Sequence, residues 1–277
     1  MNEEIIKSVK NLPPLPETAL KVHQACANPL GGVAELTKVI EQDPMLTANL
    51  LKAANSPLYG FAREIKTLSQ AISLFGFATV RGFAIASAAR NAIAPNLSPY
   101  GVSAELFVEL CQLQNALMVR WYGIFDRAKL EELSPASFLF SMGRLVMANE
   151  IVKQNQVKEF KDLARQNGFE SAERTLLDAS YQEVSAEIFT RWRFERTLID
   201  AIRYSEDPSL ARSGALLQAR ALRVVQIAVE FPSGVNENSL AHAVKTAADY
   251  KMPAQALENV AKTFINRISD RNLETRR

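Results

Sequence analysis

The chain offers few groups for catalysis: two histidines, His23 and His242, and two cysteines, Cys26 and Cys111, among 277 residues. A divalent metal that activates water needs several deprotonated nitrogen or oxygen ligands converging from different elements, and imidazole supplies many of them in such sites. Neither histidine has an aspartate beside it; His23 follows Val22, and His242 ends the run Ser239-Leu240-Ala241-His242. Both are expected on helix surfaces or half-buried. An all-carboxylate magnesium site stays open, because Mg²⁺ needs only one or two carboxylates plus phosphate oxygens. The cysteines are too far apart for a zinc spacing and too few for a disulfide framework, so both read as reduced core residues. No Gly-x-Gly-x-x-Gly fingerprint, P-loop or nucleophile elbow occurs. Arg191, Arg193, Arg196 and Arg203 could present a phosphate-binding face, but Glu195 and Asp200 interrupt it and a solvated helix face is the expected reading. The balance of 32 basic against 30 acidic residues gives +2, which argues against a nucleic-acid partner on bulk charge.

The elements that would position any site are helical throughout, because alternating β-branched runs are absent. The stretch from Asp43 to Phe61 organises the first half. Asp43 can accept from the free N–H groups of a first turn, Pro44 fits the first helical position, and Leu46, Leu50 and Ala54 recur at intervals of four until Asn55, Ser56 and Pro57 stop the helix. Before it, residues 2 to 10 form a helix with Ile5, Ile6 and Val9 inward, and the prolines of Leu12-Pro13-Pro14-Leu15-Pro16 force extended backbone. Glu17 to Ala27 is helical through Ala19, Leu20 and Val22, and Asn28-Pro29 with Gly31-Gly32 ends it; Val33 to Gln42 follows. After the loop, Thr67 and Gln70 form a capping box, Gly76 stops that helix, and a buried helix runs from about Ala78 to Ala94.

Pro95 and the Asn96-Leu97-Ser98-Pro99-Tyr100-Gly101 stretch mark a subdomain boundary. Beyond it come helices over Ala104 to Gly123, Leu133 to Val152, Lys158 to Gln166, Ser171 to Asp178, Gln182 to Trp192, Leu198 to Tyr204 and Ser213 to Glu230. Phe231-Pro232-Ser233-Gly234 is a loop. Two last helices follow, the second striped by Leu257, Val260, Ala261, Phe264 and Ile268 and ending in a tail with Arg271, Arg276 and Arg277. Three units are expected: 1–95, 96–231 and a C-terminal extension at 232–277.

Taken together, Leu12-Pro13-Pro14-Leu15-Pro16, Ile40-Glu41-Gln42-Asp43-Pro44, Ala54-Asn55-Ser56 with Tyr59-Gly60, and Ala71-Ile72-Ser73-Leu74-Phe75-Gly76 resemble, in that order, the HDOD domain, a bacterial signalling module. The resemblance continues more faintly through Trp192 and Ala201-Ile202-Arg203-Tyr204. It implies an all-α fold in which an N-terminal helical bundle packs on a degenerate HD-type bundle, related to metal-dependent phosphohydrolases. It also implies where metal ligands would stand. The adjacent His-Asp pair of such an enzyme falls at Phe140-Ser141, before Gly143 and Arg144; an earlier histidine falls near Glu109, a later one at Tyr181, and a paired position at Ser205-Glu206. No aspartate between Ala211 and Glu230 closes the set.

The expectation is therefore a non-catalytic regulatory module that needs no cofactor. The resemblance implies signalling proteins as partners: response regulators, kinases or cyclic-dinucleotide enzymes. Asn55, Ser56, Leu58, Tyr59 and Phe61 are the candidate partner-binding loop, with exposed apolar surface expected there; helix termination is the competing reading of Asn55 and Ser56. The rival readings are a residual phosphohydrolase using carboxylates such as Glu109 and Glu206, and a nucleic-acid regulator using the Arg191 to Arg203 face. Glu3, Glu4, Lys7 and Lys10 interrupt any leader, and the small-and-apolar run from Gly82 to Ala89 falls short of the ~20 residues that span a bilayer. A cytoplasmic protein with no membrane partner is expected.

Overall fold

Side-chain caps fix where the helices begin. In the computed structural model, which describes residues 1–28 and 30–274 with side chains as far as 265, Asp43 Oδ1 accepts from Leu46 N at 2.9 Å and Pro44 takes the first helical position. Of the residues named above, Pro29, Arg276 and Arg277 lie outside the described residues, as do the side chains of Ile268 and Arg271. The Thr67–Gln70 capping box is formed, and Gly76 ends that helix at φ +77°.

The first half contains α1 (Glu3–Lys10), α2 (Glu17–Ala27), α3 (Val33–Glu41), α4 (Pro44–Ala54), α5 (Leu68–Phe75) and α6 (Phe77–Ile93). The rest contains α7 (Ala104–Phe125), α8 (Leu130–Leu139), α9 (Gly143–Lys153), α10 (Val157–Asn167), α11 (Phe169–Leu177), α12 (Tyr181–Arg191), α13 (Arg196–Arg203), α14 (Ser213–Ala228), α15 (Glu237–Asp249) and α16 (Ala254–Glu274). About 72% of the chain is helical and no strand occurs among the described residues, so the fold is all-α. No single described helix is long and apolar enough to cross a membrane.

One buried core runs through the chain, centred on α8, against which α6, α7, α13 and α14 all pack. The α6–α8 contact is close because Gly82 has no side chain; a Cβ there would lie 2.7 Å from Pro135 Cα and 2.9 Å from the Phe138 ring. Pro135 sits inside α8, where its missing N–H leaves the Glu131 carbonyl without its helical donor. Arg81 Nη2 of α6 donates to that carbonyl at 3.1 Å. The defect in one helix is thus satisfied by the other.

The N-terminal segment crosses onto the later helices. α1 packs on α9 and α12, and the two proline-flanked carbonyls behind it are gripped from α12: Arg191 donates to Leu12 O at 3.1 Å and Trp192 Nε1 to Pro13 O at 3.0 Å.

Three expectations need correction. Ile6 faces outward, at 38% exposure, since Ile5 with Val9 already fills the inner stripe of α1. The single helix expected over Leu133 to Val152 is two, α8 and α9, broken at Phe140–Met142. Glu195 does not offset its neighbouring arginines; it pairs with Arg81 at 3.0 Å.

Candidate functional site

The break between α8 and α9 falls on the Phe140-Ser141 positions, and its cause lies on α12. Ser185 Oγ accepts from Gly143 N at 2.7 Å and stands 2.7 Å from Phe140 O and 2.8 Å from Tyr181 O, donating its one proton to either. Bonds to the third residue back replace the α-helical ladder: Met142 N to Leu139 O, Arg144 N to Ser141 O and Leu145 N to Met142 O, all near 3.1 Å. A Cβ at 143 would run into the Tyr181 carbonyl, so only glycine lets α9 start there.

Arg144 follows directly, and its guanidinium is buried. Nε donates to Glu173 Oε1 at 2.8 Å, and Tyr100 OH donates to the same oxygen at 2.9 Å. The cation lies 3.7 Å from the Tyr181 ring centroid, 4.4 Å from Phe231 and 5.9 Å from Tyr100. Burial opposes the charge on Arg144, but Glu173 with Tyr181 and Tyr100 outweighs it and holds the group above its ordinary pKa. Burial also holds the Glu173 carboxyl above its ordinary pKa, a shift that Arg144 and Tyr100 only partly offset.

The remaining candidate positions do not converge. Phe140 is fully buried, and Ser141 is turned to Gln114 at 3.4 Å. Ser205 Oγ donates to Ile202 O at 2.8 Å and accepts from Gln226 Nε2 at 2.7 Å. Glu109 is exposed on α7, while Glu206 pairs with Arg174 of α11. His242 is exposed on α15; His23 is half-buried against the Phe194 ring at 5.0 Å. Among the described residues no group of three or more His, Cys, Asp or Glu could hold a metal ion. Both cysteines are free: Cys111 is buried, whereas Cys26 is half-buried and donates to Phe77 O. Burial raises both thiols to about 12. The arginine face is largely committed, with Arg196 on Asp200 at 3.2 Å, Arg203 on Glu187 at 2.7 Å and Arg191 on Leu12 O.

The loop after α4 is closed by Asn55. Its Nδ2 donates to Leu51 O and Ile65 O, both at 2.9 Å, and its Oδ1 accepts from Ile65 N at 2.8 Å, so one amide caps the helix and pins the far end of the loop. Tyr59 points inward, not outward as exposed apolar surface would require. Its ring meets Phe75 edge-on at 4.6 Å, and its hydroxyl donates to Asn115 Oδ1 at 3.2 Å. Asn115 in turn donates to Ser134 O and Ser134 Oγ at 2.9 Å, joining the loop to α7 and α8. Leu58 and Phe61 are half-buried. On the outer side a cleft of about 310 Å³ is lined by Asn55, Ser56, Phe61, Arg63 and Glu64 among others. Asn115, Glu173 and Ser185 were not among the sequence candidates; each is a polar residue within the apolar register of its helix, which is the signal that could have found them.

The HDOD domain family matches residues 12–208. The chain belongs to this family. An HDOD domain protein of Geobacter sulfurreducens superposes with a TM-score of 0.65 at 18% identity, covering 98% of this chain and 93% of that one. A Marinobacter aquaeolei protein named for signal transduction gives 0.69 at 20% identity, covering 96% of this chain and 62% of that one. At these identities the likeness establishes the fold alone. The chain spans 38% of the length of a curated relative, an uncharacterised protein of Treponema pallidum 19% identical over 204 residues. The HDOD match starts after α1 and stops before α14, so Phe231, which closes the cage over Arg144, comes from outside the matched residues.

Proposed function

We propose that this HDOD chain is a non-catalytic module of a signalling or regulatory pathway that works by binding other proteins. One observation carries the first half of that reading: of the positions that would hold metal ligands, Phe140, Ser141, Tyr181 and Ser205 are buried and carry no carboxylate or imidazole, while Glu109 is exposed on α7 and Glu206 pairs with Arg174. A dication needs several carboxylate, imidazole or thiolate donors around one point, and among the described residues no three of these converge. Calorimetric titration with Mg²⁺ and Mn²⁺, with hydrolysis assays on nucleotides and cyclic dinucleotides, is expected to give neither tight binding nor turnover. Turnover that depends on Glu109 or Glu206 would replace this reading with the enzymatic one.

Protein binding is supported by the loop after α4. Asn55 and Tyr59 hold it rigidly from within, which leaves the outer cleft preformed, and pre-organisation lowers the entropic cost of binding. Arg63 and Phe61 give it an arginine and an aromatic ring, residue types enriched in protein interfaces relative to the rest of the surface. Ala62→Trp, on an exposed position of the cleft, should preserve the helical circular dichroism and abolish capture of whichever response regulator, kinase or cyclic-dinucleotide enzyme the wild type retains. Equal capture of that protein by both would remove the loop from the interface.

A further inference from the structure

We infer that α1 is an autoinhibitory strap: it fills a helix-binding seam between α9 and α12, and the partner that fits this seam is another amphipathic helix of α1's own pattern. This surface is separate from the loop after α4, so its test and that of the outer cleft fail independently.

α9 and α12 pack on each other, and α1 lies across both. Its apolar hold is narrow: of eight residues only Ile5 and Val9 are buried, while Glu3, Glu4, Ile6, Lys7 and Lys10 stay exposed. Anchors one turn apart are the pattern by which an amphipathic helix docks in a groove. Between them in sequence, Ser8 Oγ donates to Glu150 Oε2 of α9 at 2.9 Å. Glu150 is almost completely buried, at 2% side-chain exposure, yet it does not depend on α1: Lys153 Nζ at 3.2 Å and Gln154 Nε2 at 2.9 Å also donate to it. Lifting α1 therefore leaves no buried charge without a partner, which would be the largest penalty on such a departure. The other polar ties are Lys153 to Glu4 at 3.3 Å, Asn2 N to Leu177 O at 3.1 Å and the Met1 ammonium to exposed Asp178 at 3.0 Å, and a helix of the same pattern can remake them.

The hinge is defined as well. Just beyond exposed Asn11 the chain is clamped by Arg191 on Leu12 O and by Trp192 on Pro13 O, bonds that do not involve α1 and persist when it leaves. The residues matched by the HDOD family start at the same point, Leu12, so α1 stands outside the domain it covers. It also carries its own helix signals. Asn2 Oδ1 accepts from Ile5 N at 3.0 Å, Glu3 and Glu4 lie in the first turn, and Lys7 and Lys10 lie in the last. A separate helix can thus present the same face: β-branched residues four apart with a hydroxyl between them for Glu150.

The probe is a peptide of residues 1–11, labelled at its C-terminus and titrated by fluorescence anisotropy into the full chain and into Ile5→Asp/Val9→Asp, whose strap cannot seat without burying two carboxylates. The double variant should keep its helical circular dichroism and bind the peptide saturably. The wild type should bind it roughly tenfold or more weakly, because its seam is free only in the fraction of molecules with α1 lifted. The same peptide carrying Ile5→Asp should bind neither protein. Hydrogen exchange on the wild type needs no variant and decides alone if the double variant does not stay folded: α1 amides should exchange roughly tenfold or more faster than those of α9 and α12, through an opening that leaves these two helices protected. A peptide that fails to saturate the folded double variant, equal binding to both proteins, or exchange of α1 only together with α9 and α12 overturns the inference.

Discussion

Tyr59 is held at both ends: its ring packs on Phe75, and its hydroxyl reaches a fully buried Asn115. Burial pushes the phenol well above its ordinary pKa, so it remains a donor at any working pH. Removing only the oxygen separates the two anchors. Tyr59→Phe should keep the packing but leave Asn115 Oδ1 without this donor in the core, at a cost of about 1–3 kcal/mol by urea denaturation. Tyr59→Ala also loses the ring and should cost about 3–5 kcal/mol. If both variants unfold like the wild type, the hydroxyl and ring make no contribution and the loop is not anchored from within. The same residue shows what a sequence can and cannot reveal about a site. The scarcity of imidazole is legible from residue types alone, since the chain has two histidines. Which side of a loop a tyrosine faces depends on a partner 56 positions later. The Arg144 cage is harder still, since Tyr100, Glu173, Tyr181 and Phe231 gather around it from four separate stretches of chain.

At the scale of elements, helix starts were legible wherever a cap is local. Asp43-Pro44 and Thr67–Gln70 each settle a helix N-terminus within four residues, and the structure uses both as read. The break before α9 was not legible. Phe140-Ser141-Met142 contains no proline or glycine stop, and the hydroxyl that pins the turn comes from Ser185, 45 residues beyond Phe140. Spacing patterns see local periodicity, whereas this interruption is tertiary. The α6–α8 contact has the same character: Gly82 reads as an unremarkable small residue until Pro135 is placed against it. Gly82→Ala should improve intrinsic helix propensity by about 1 kcal/mol and yet lower stability, because the new methyl must displace the backbone of α8. The net loss expected from such overpacking is about 1–3 kcal/mol. A stability gain in thermal unfolding would mean that α6 and α8 stand further apart than described.

At the scale of the whole molecule, the first half is tied to the later helices by a small polar clasp as well as by the core. Glu195, just before α13, takes Arg81 of α6 at 3.0 Å and stands 3.9 Å from His23 Nε2 of α2, while His23 Nδ1 is buried without a partner. Burial lowers the His23 pKa; Glu195 opposes that shift and Arg81 reinforces it. The folded state therefore holds this imidazole neutral at a pH where the unfolded chain, with an ordinary histidine pKa of about 6.5, has begun to protonate. The unfolded state then binds more protons, so stability must rise with pH through that window. The contribution is complete above the unfolded value and is lost as pH falls below it toward the depressed folded value. His23→Asn removes the titrating group without adding charge. Its urea midpoint should differ from that of the wild type by one amount near pH 8 and by a smaller amount near pH 5.5, where the wild type alone bears the cost of keeping His23 unprotonated. A difference that stays constant between those pH values would show that His23 titrates alike in both states, and the clasp would then owe nothing to its burial.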